Sequence, residues 1–273
     1  ILGGAVSIAA LMLATVCAQA QIANKTVKIG VLTDLSGGYE QNSGHGSVEA
    51  ARMAVEEFGG KIGDATISVL AGDHQNKPDV GVSIANRWFD VDKVDMVTDL
   101  VNSAVGFAVL DAAKAKNKMV MLTSAGSADF TGKACAPDNS VHWVYDTYQI
   151  GRTIGQAVPQ LGNKWFFITA DYAFGIALEQ GVTAAIKPAG ATVVGSVRAP
   201  LGTTDFSSFV LQAQASKADV VALNNGGDDG INSMKAVREF GLLAGGMKVA
   251  ALGLDALPAL KSASLEVAQG SMF

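Results

Sequence analysis

From position 26 onward the chain alternates between short apolar runs closed by turn residues and longer stretches whose apolar positions recur every three or four residues. The first kind reads as buried strand, the second as amphipathic helix. Residues 26–33 (TVKIGVLT) open the series as a strand. Val48, Ala51, Val55 and Phe58 then fall on one helical face, closed by Gly59-Gly60. A strand over 65–71 follows, then a helix opened by Pro78 with Val80, Ile84 and Trp88 on one face. A strand over 94–98, a helix over 104–115 and a strand over 119–122 complete the first series. Such alternation predicts βα units and a parallel sheet covered on both faces.

The stretch 119–148 interrupts this rhythm. Its strand ends in the small-residue turn Thr123-Ser124-Ala125-Gly126-Ser127, and a loop with Gly132 and Pro137 leads to an extended piece, 141–145. Asp146-Thr147-Tyr148 reads as the start of a new helix, and the alternation resumes. Helices are expected over 150–161, 174–186, 206–215 and 231–240, with strands over 165–169, 193–197, 220–223 and 249–252. Two α/β units in tandem, joined by the extended segment, predict two doubly wound lobes with a cleft between them. The boundaries place one lobe at 26–144 and the other at 145–270.

The length of 273 residues and 49% apolar composition suffice for two cores. The net charge of −5, with no basic run, makes nucleic acid a poor partner. The first twenty residues carry no charge. Residues 8–16 have the length of a signal-peptide apolar core, and Ala18-Gln19-Ala20 supplies the small-x-small pattern for cleavage before Gln21. Residues 1–20 therefore read as an incomplete signal peptide that exports the chain to the periplasm. Cys17 falls inside it, and Val16 before it disfavours lipidation. Cys135 is then the one mature cysteine, so no internal disulfide is expected.

In open α/β sheets ligands sit at the carboxyl ends of strands, and those ends are polar in both halves. Asp34 to Tyr39, Asp73 to Asn76, Asn102-Ser103 and Ser124 to Ser127 follow strands in the first. Asp171-Tyr172, Asn224 to Asp229 and Asp255 do so in the second. Ser103 and Ser127 precede or open helices, where hydroxyls and unpaired backbone N–H groups hold a carboxylate or simply cap the helix. Asn224 to Asp229 also reads as a turn leading into a helix, with Asp228 as its cap. Tyr145, Tyr148, Tyr172 and Phe174 are candidates for an apolar ligand slot; Trp88 and Trp165 are assigned to packing. No nucleophile elbow, phosphate-binding loop, dinucleotide fingerprint or zinc-protease motif occurs. His45, His74 and His142 are scattered, so neither catalysis, a metal nor a cofactor is expected.

The residues 29–37 (IGVLTDLSG), 51–57 (ARMAVEE) and 171–175 (DYAFG) together resemble the type I periplasmic solute-binding proteins of ABC importers, in the leucine/isoleucine/valine-binding family. The segments GKAC at 132–135 and HWVYDTY at 142–148 are more similar to the branch associated with aromatic and other organic carboxylates. The resemblance implies a monomeric receptor that closes two lobes on an amino acid or organic carboxylate and delivers it to an inner-membrane permease. A sensor regulating a partner protein is the alternative role, and an α/β enzyme a remoter one. The resemblance places the carboxylate grip at Asn102, Ser103, Ser124, Gly126 and Ser127, and an aromatic from the second lobe at Phe174 with Tyr172 close by, beside the slot candidate Tyr145. Asn225, Gly226 and Asp228 would face the ligand from the second lobe. The family's amino-acid binders carry an acid, usually Glu, after the next strand for the ligand's ammonium; this chain reads Gly253-Leu254-Asp255. The family's paired cysteines in the first lobe are absent too. The resemblance also implies a further segment returning to the first lobe after about residue 270.

Overall fold

A computed structural model describes residues 25–254 and 256–273. The signal-peptide reading of 1–20, Cys17 and Asp255 lie outside the described residues.

The first sheet is assembled from β1 (Thr26–Thr33), β2 (Lys61–Ile62), β3 (Ala65–Asp73), β4 (Met96–Asp99), β5 (Met119–Leu122) and β6 (Ser140–His142), in the order β2-β3-β1-β4-β5-β6. All neighbours are parallel except β2, which runs antiparallel to β3 at the edge. Between the strands stand α1 (Gly44–Glu57), α2 (Pro78–Arg87) and α3 (Ser103–Ala115). The second sheet takes β7 (Lys164–Ala170), β8 (Thr192–Ala199), β9 (Val220–Asn224), β10 (Lys248–Ala251) and β11 (Ser271–Met272), in the order β11-β10-β9-β7-β8 and parallel throughout. Its helices are α4 (Thr147–Leu161), α5 (Ala173–Ile186), α6 (Ser207–Ala215), α7 (Gly227–Glu239), α8 (Ala256–Ala263) and α9 (Leu265–Ala268). Strand order reverses beside β1 in one sheet and beside β7 in the other. These are the switch points where doubly wound folds open a crevice.

In the second sheet the two-residue period of the strands builds a core on each face. Trp165 and Phe167 of β7 enter one core with Val220 and Ala222, beneath α4 and α5. Phe166 and Ile168 enter the other with Val221 and Leu223, beneath α6 and α7. The first sheet has one such core, formed by Leu32, Val97, Val120 and Leu122 under α2 and α3. Within it Trp88 lies flat over two strands that make room by lacking side chains. A Cβ on Gly30 would stand 2.4 Å from its ring, and one on Gly72 2.9 Å.

The opposite face of that sheet departs from expectation. Of the four apolar positions expected to bury α1, only Val48 is buried, and Phe58 is 66% exposed. The helix stands at the rim of an apolar groove of about 690 Å³ floored by Ile29, Val31, Ile67, Met96 and Met121. The sheet is therefore covered on one face by helices and on the other by α1 and this groove.

Two other expectations change. The segment 141–145 is not simply a crossing: Ser140–His142 pairs with β5 as the edge strand β6, and the chain leaves the sheet at Trp143. The last long helix, α7, begins at Gly227 rather than at 231, so Asp228 is inside its first turn and Gly226 is the cap. Two acids in a first turn suit the positive end of the helix dipole, and the glycines gave no apolar signal by which to place the start.

Candidate functional site

The carboxyl ends of β1, β5, β7 and β9 meet between the lobes. After β1 the buried carboxylate of Asp34 accepts from the N–H groups of Gly37, at 3.0 Å, and Tyr39, at 2.9 Å, and from the Asn76 side chain. Three donors on one carboxylate fix the turn that projects Tyr39 toward the second lobe. There the Tyr39 and Tyr172 hydroxyls lie 2.7 Å apart. Beside them the Asp228 N–H donates to the Gly38 carbonyl at 2.9 Å. Gly227, with φ of +55°, passes so close that a Cβ there would stand 2.2 Å from the Gly38 oxygen. The lobes thus touch through backbone as well as through the two phenols.

After β5, the turn from Ser124 to Ser127 is held from four sides. The His142 Nε2–H donates to the Ala125 carbonyl at 2.6 Å, and the Thr147 N–H to the Gly126 carbonyl at 2.9 Å. The Ser127 N–H donates to Ser103 Oγ at 3.2 Å, and the Ala128 N–H to Thr147 Oγ1 at 3.1 Å. Thr147 opens α4, whose N-terminus is capped by Asp146 accepting from the Gln149 N–H. The turn therefore bridges the first sheet and the first helix of the second lobe.

Between the turn and the phenols is a cavity of about 170 Å³. Tyr39, Asn42, Val101, Thr123, Ser124 and Gly126 line it from the first lobe, Val144 and Tyr145 from the connecting segment, and Tyr172, Phe174 and Gly253 from the second. None of these described lining residues is charged. The volume is below the several hundred Å³ of drug-sized pockets.

Of the twelve residues singled out from the sequence, Ser124, Gly126, Tyr145, Tyr172 and Phe174 line this cavity. Asn102 spends its side-chain oxygen on the N–H groups of Ala104 and Val105, capping α3. Ser103 and Ser127 are fully buried; the first supports the turn, and the second accepts from the Asp129 N–H at 3.4 Å. Asn225 is buried and accepts from the Ser233 hydroxyl at 3.2 Å. Gly226 and Asp228 border a neighbouring interlobe hollow with Asn76, Thr203 and Asp229. Tyr148, also considered for the slot, is 61% exposed beneath the Arg152 guanidinium. Tyr39, Asn42 and Thr123 were not among the twelve. The sign that points to Tyr39 is its place after β1, at the switch point of the sheet.

Asp229 adds a titratable charge beside the phenols. It is 4% exposed and accepts from the Gly202 N–H through both oxygens, at 3.1 and 3.0 Å. Burial, opposed by the Gly202 bond and reinforced by Asp228, pushes its pKa up to about 6. The unfolded value is near 3.8, so the folded chain binds the extra proton between about pH 4 and 6. Its contribution to stability is therefore present at acid pH and lost as pH rises through about 6. Melting temperature is expected to rise as pH falls from 7 to 5, and Asp229→Asn to flatten that slope. An unchanged slope in the variant would refute the assignment.

Residues 26–273 match the sequence family described as "Periplasmic binding protein". The chain belongs to the periplasmic binding protein family. Among curated relatives this periplasmic binding protein is 28% identical over 252 residues to the Leu/Ile/Val-binding protein homolog 6 of Brucella melitensis, covering 91% of this chain and 63% of the relative. Among solved structures it is similar to a periplasmic binding protein from Burkholderia mallei, with 43% identity and a TM-score of 0.86, covering 90% of this chain and 65% of the other. It is also similar to an R. palustris ABC-transporter solute-binding protein in complex with 4-hydroxybenzoate, with 25% identity, a TM-score of 0.75, and 82% and 61% coverage. The chain thus spans slightly less than two thirds of the length of these relatives. The two-lobed α/β architecture expected from the sequence is that of the family.

Proposed function

We propose that this periplasmic binding protein is the substrate-binding component of an ABC importer, and that its ligand is a small aromatic carboxylate held between the lobes. The observation that carries the reading is the half-open interlobe cavity. Thr123, Ser124 and Gly126 form one part of its wall, and Tyr39, Tyr145, Tyr172 and Phe174 much of the rest. Hydroxyls and backbone N–H groups bind a carboxylate strongly when water is excluded, at roughly 1.5–3 kcal/mol for each bond to a charged group. Flat rings suit an aromatic body. The R. palustris neighbour, bound to a hydroxybenzoate, supports the same class.

A second reading, a branched-chain amino acid, is favoured by the name of the Brucella relative. It requires an acid for the ammonium, and Asp255 or Asp228 is the residue that would serve. In either case the protein acts in the periplasm as a monomer, presents its closed form to an inner-membrane permease, and performs no chemistry on the ligand.

Isothermal titration with benzoate and hydroxybenzoates against leucine, isoleucine and valine separates the two. Micromolar binding of aromatic acids alone supports the first reading. Binding of amino acids alone, abolished by Asp255→Asn or by Asp228→Asn, replaces it with the second.

A further inference from the structure

The aromatic wall has a direction. Gly126 packs against Phe174, where a Cβ on the glycine would stand 2.9 Å from the ring. From Phe174 to Tyr172 the ring centroids are 6.2 Å apart, and from Tyr172 to Tyr39 6.3 Å. The rings therefore lead step by step from the Ser124–Gly126 turn to the paired phenol hydroxyls. A ring anchored by its carboxylate at the turn would present its opposite edge to that pair.

The pair is not chemically exhausted. Two phenols carry two protons, and the bond between them uses one. The Gly226 backbone N–H also donates to the Tyr39 oxygen, which leaves one phenol proton and the Tyr172 lone pairs for a further partner. The environment also sets the charge of that partner. The phenol ionisations of both tyrosines are raised, chiefly by burial and in part by the neighbouring charge of Asp229. No cation lies among the described residues lining the cavity. A second carboxylate at this end would face a buried negative charge without compensation. A hydroxyl can both donate and accept there, at no electrostatic cost.

We infer that the Tyr39–Tyr172 hydroxyl pair selects ligands whose ring carries an uncharged hydroxyl opposite the carboxylate. This rests on the reading of the cleft as a site for aromatic carboxylates and narrows it to one substitution pattern. Tyr172 is a specificity-determining residue through its oxygen alone, since its ring packs against Phe174 whether or not the hydroxyl is present.

The test is calorimetric titration of the purified protein and of Tyr172→Phe with benzoate, 3-hydroxybenzoate, 4-hydroxybenzoate and terephthalate. The wild type is expected to bind 4-hydroxybenzoate about tenfold tighter than benzoate, as one well-formed hydrogen bond allows. It should bind 3-hydroxybenzoate little better than benzoate, and terephthalate worse. In Tyr172→Phe the ratio of 4-hydroxybenzoate to benzoate affinity should fall to near one. The variant also loses an interlobe bond, but that loss weakens both ligands equally and cancels in the ratio. A wild-type ratio near one, with benzoate bound, would overturn the inference and leave the aromatic-carboxylate reading standing. So would a tenfold preference that survives in Tyr172→Phe. Absence of binding by all four acids would overturn that reading itself, and the substituent selection with it.

Discussion

Gly227→Ala should weaken ligand binding tenfold to a hundredfold while leaving both lobes folded. In the closed arrangement the new methyl would stand 2.2 Å from the Gly38 carbonyl oxygen and 3.0 Å from the Tyr39 ring. The first is backbone and has no rotamer by which to move aside. The lobes must separate to admit the methyl, and separation breaks the Asp228 N–H bond to Gly38 and the bond between the phenols. Each net hydrogen bond contributes about 0.5–1.5 kcal/mol. Their joint loss of about 1–3 kcal/mol falls on the closed state alone and so passes directly into apparent affinity. The positive φ of Gly227 adds about 1–2 kcal/mol of strain for alanine. That strain is carried by α7 whether the lobes are apart or together, so it lowers the melting temperature without touching affinity. Calorimetry gives the first quantity and small-angle scattering of the ligand-bound form the second signature, a larger radius. Wild-type affinity in the variant would show that closure does not require this contact.

Trp88→Ala is expected to cost the first lobe about 3–5 kcal/mol, the range for deleting a large buried aromatic. The site is poorly able to collapse. The ring rests on Gly30 and Gly72, which have no side chains with which to fill the space, and the strands that carry them are pinned in register by β1–β3 pairing. The glycines allow an internal control. Gly30→Ala alone should destabilise by about 1–3 kcal/mol through overpacking, because its Cβ would meet the ring at 2.4 Å. In the Trp88→Ala background the same change should be neutral or stabilising. Denaturant unfolding of the four proteins completes the cycle. A Trp88→Ala cost below 1 kcal/mol, or additive effects, would show that the ring is not seated on these strands.

Much of the fold was legible because apolar period decides between strand and helix independently of tertiary detail. The strands at 26–33 and 119–122 have the expected boundaries, and Pro78 opens its helix at the first position. The start of α7 was not legible, since Gly226-Gly227 carries no apolar mark. The burial of α1 was misjudged because a periodic face states only that something apolar is to be met, not that these residues meet it. The candidate site divides in the same way. Strand ends identified Ser124, Tyr172 and Phe174 by position alone. Asn102, Ser103 and Ser127 share that position and chemistry, yet their polar atoms are occupied by helix caps and by one another. Which residue lines the cleft and which turns to its own backbone depends on contacts between segments far apart in the chain.

Among the described residues the chain passes from the first sheet to the second once, over the few residues from Trp143 to Asp146. A tether that short converts the meeting of the Gly37–Tyr39 turn with the start of α7 into an encounter within one molecule. The effective concentration of one partner near the other is then of millimolar order. Contacts as small as the Asp228–Gly38 and Tyr39–Tyr172 bonds, weak between separate fragments, then add to the Thr147 and Phe174 contacts in favouring the closed arrangement before any ligand arrives. Trp143 is 76% exposed and is flanked by Tyr145, at 44%, so a protease that cuts after aromatic residues has its site on the tether itself. Cutting there would leave the two described sheets held to one another by their non-covalent contacts, without the help of the tether.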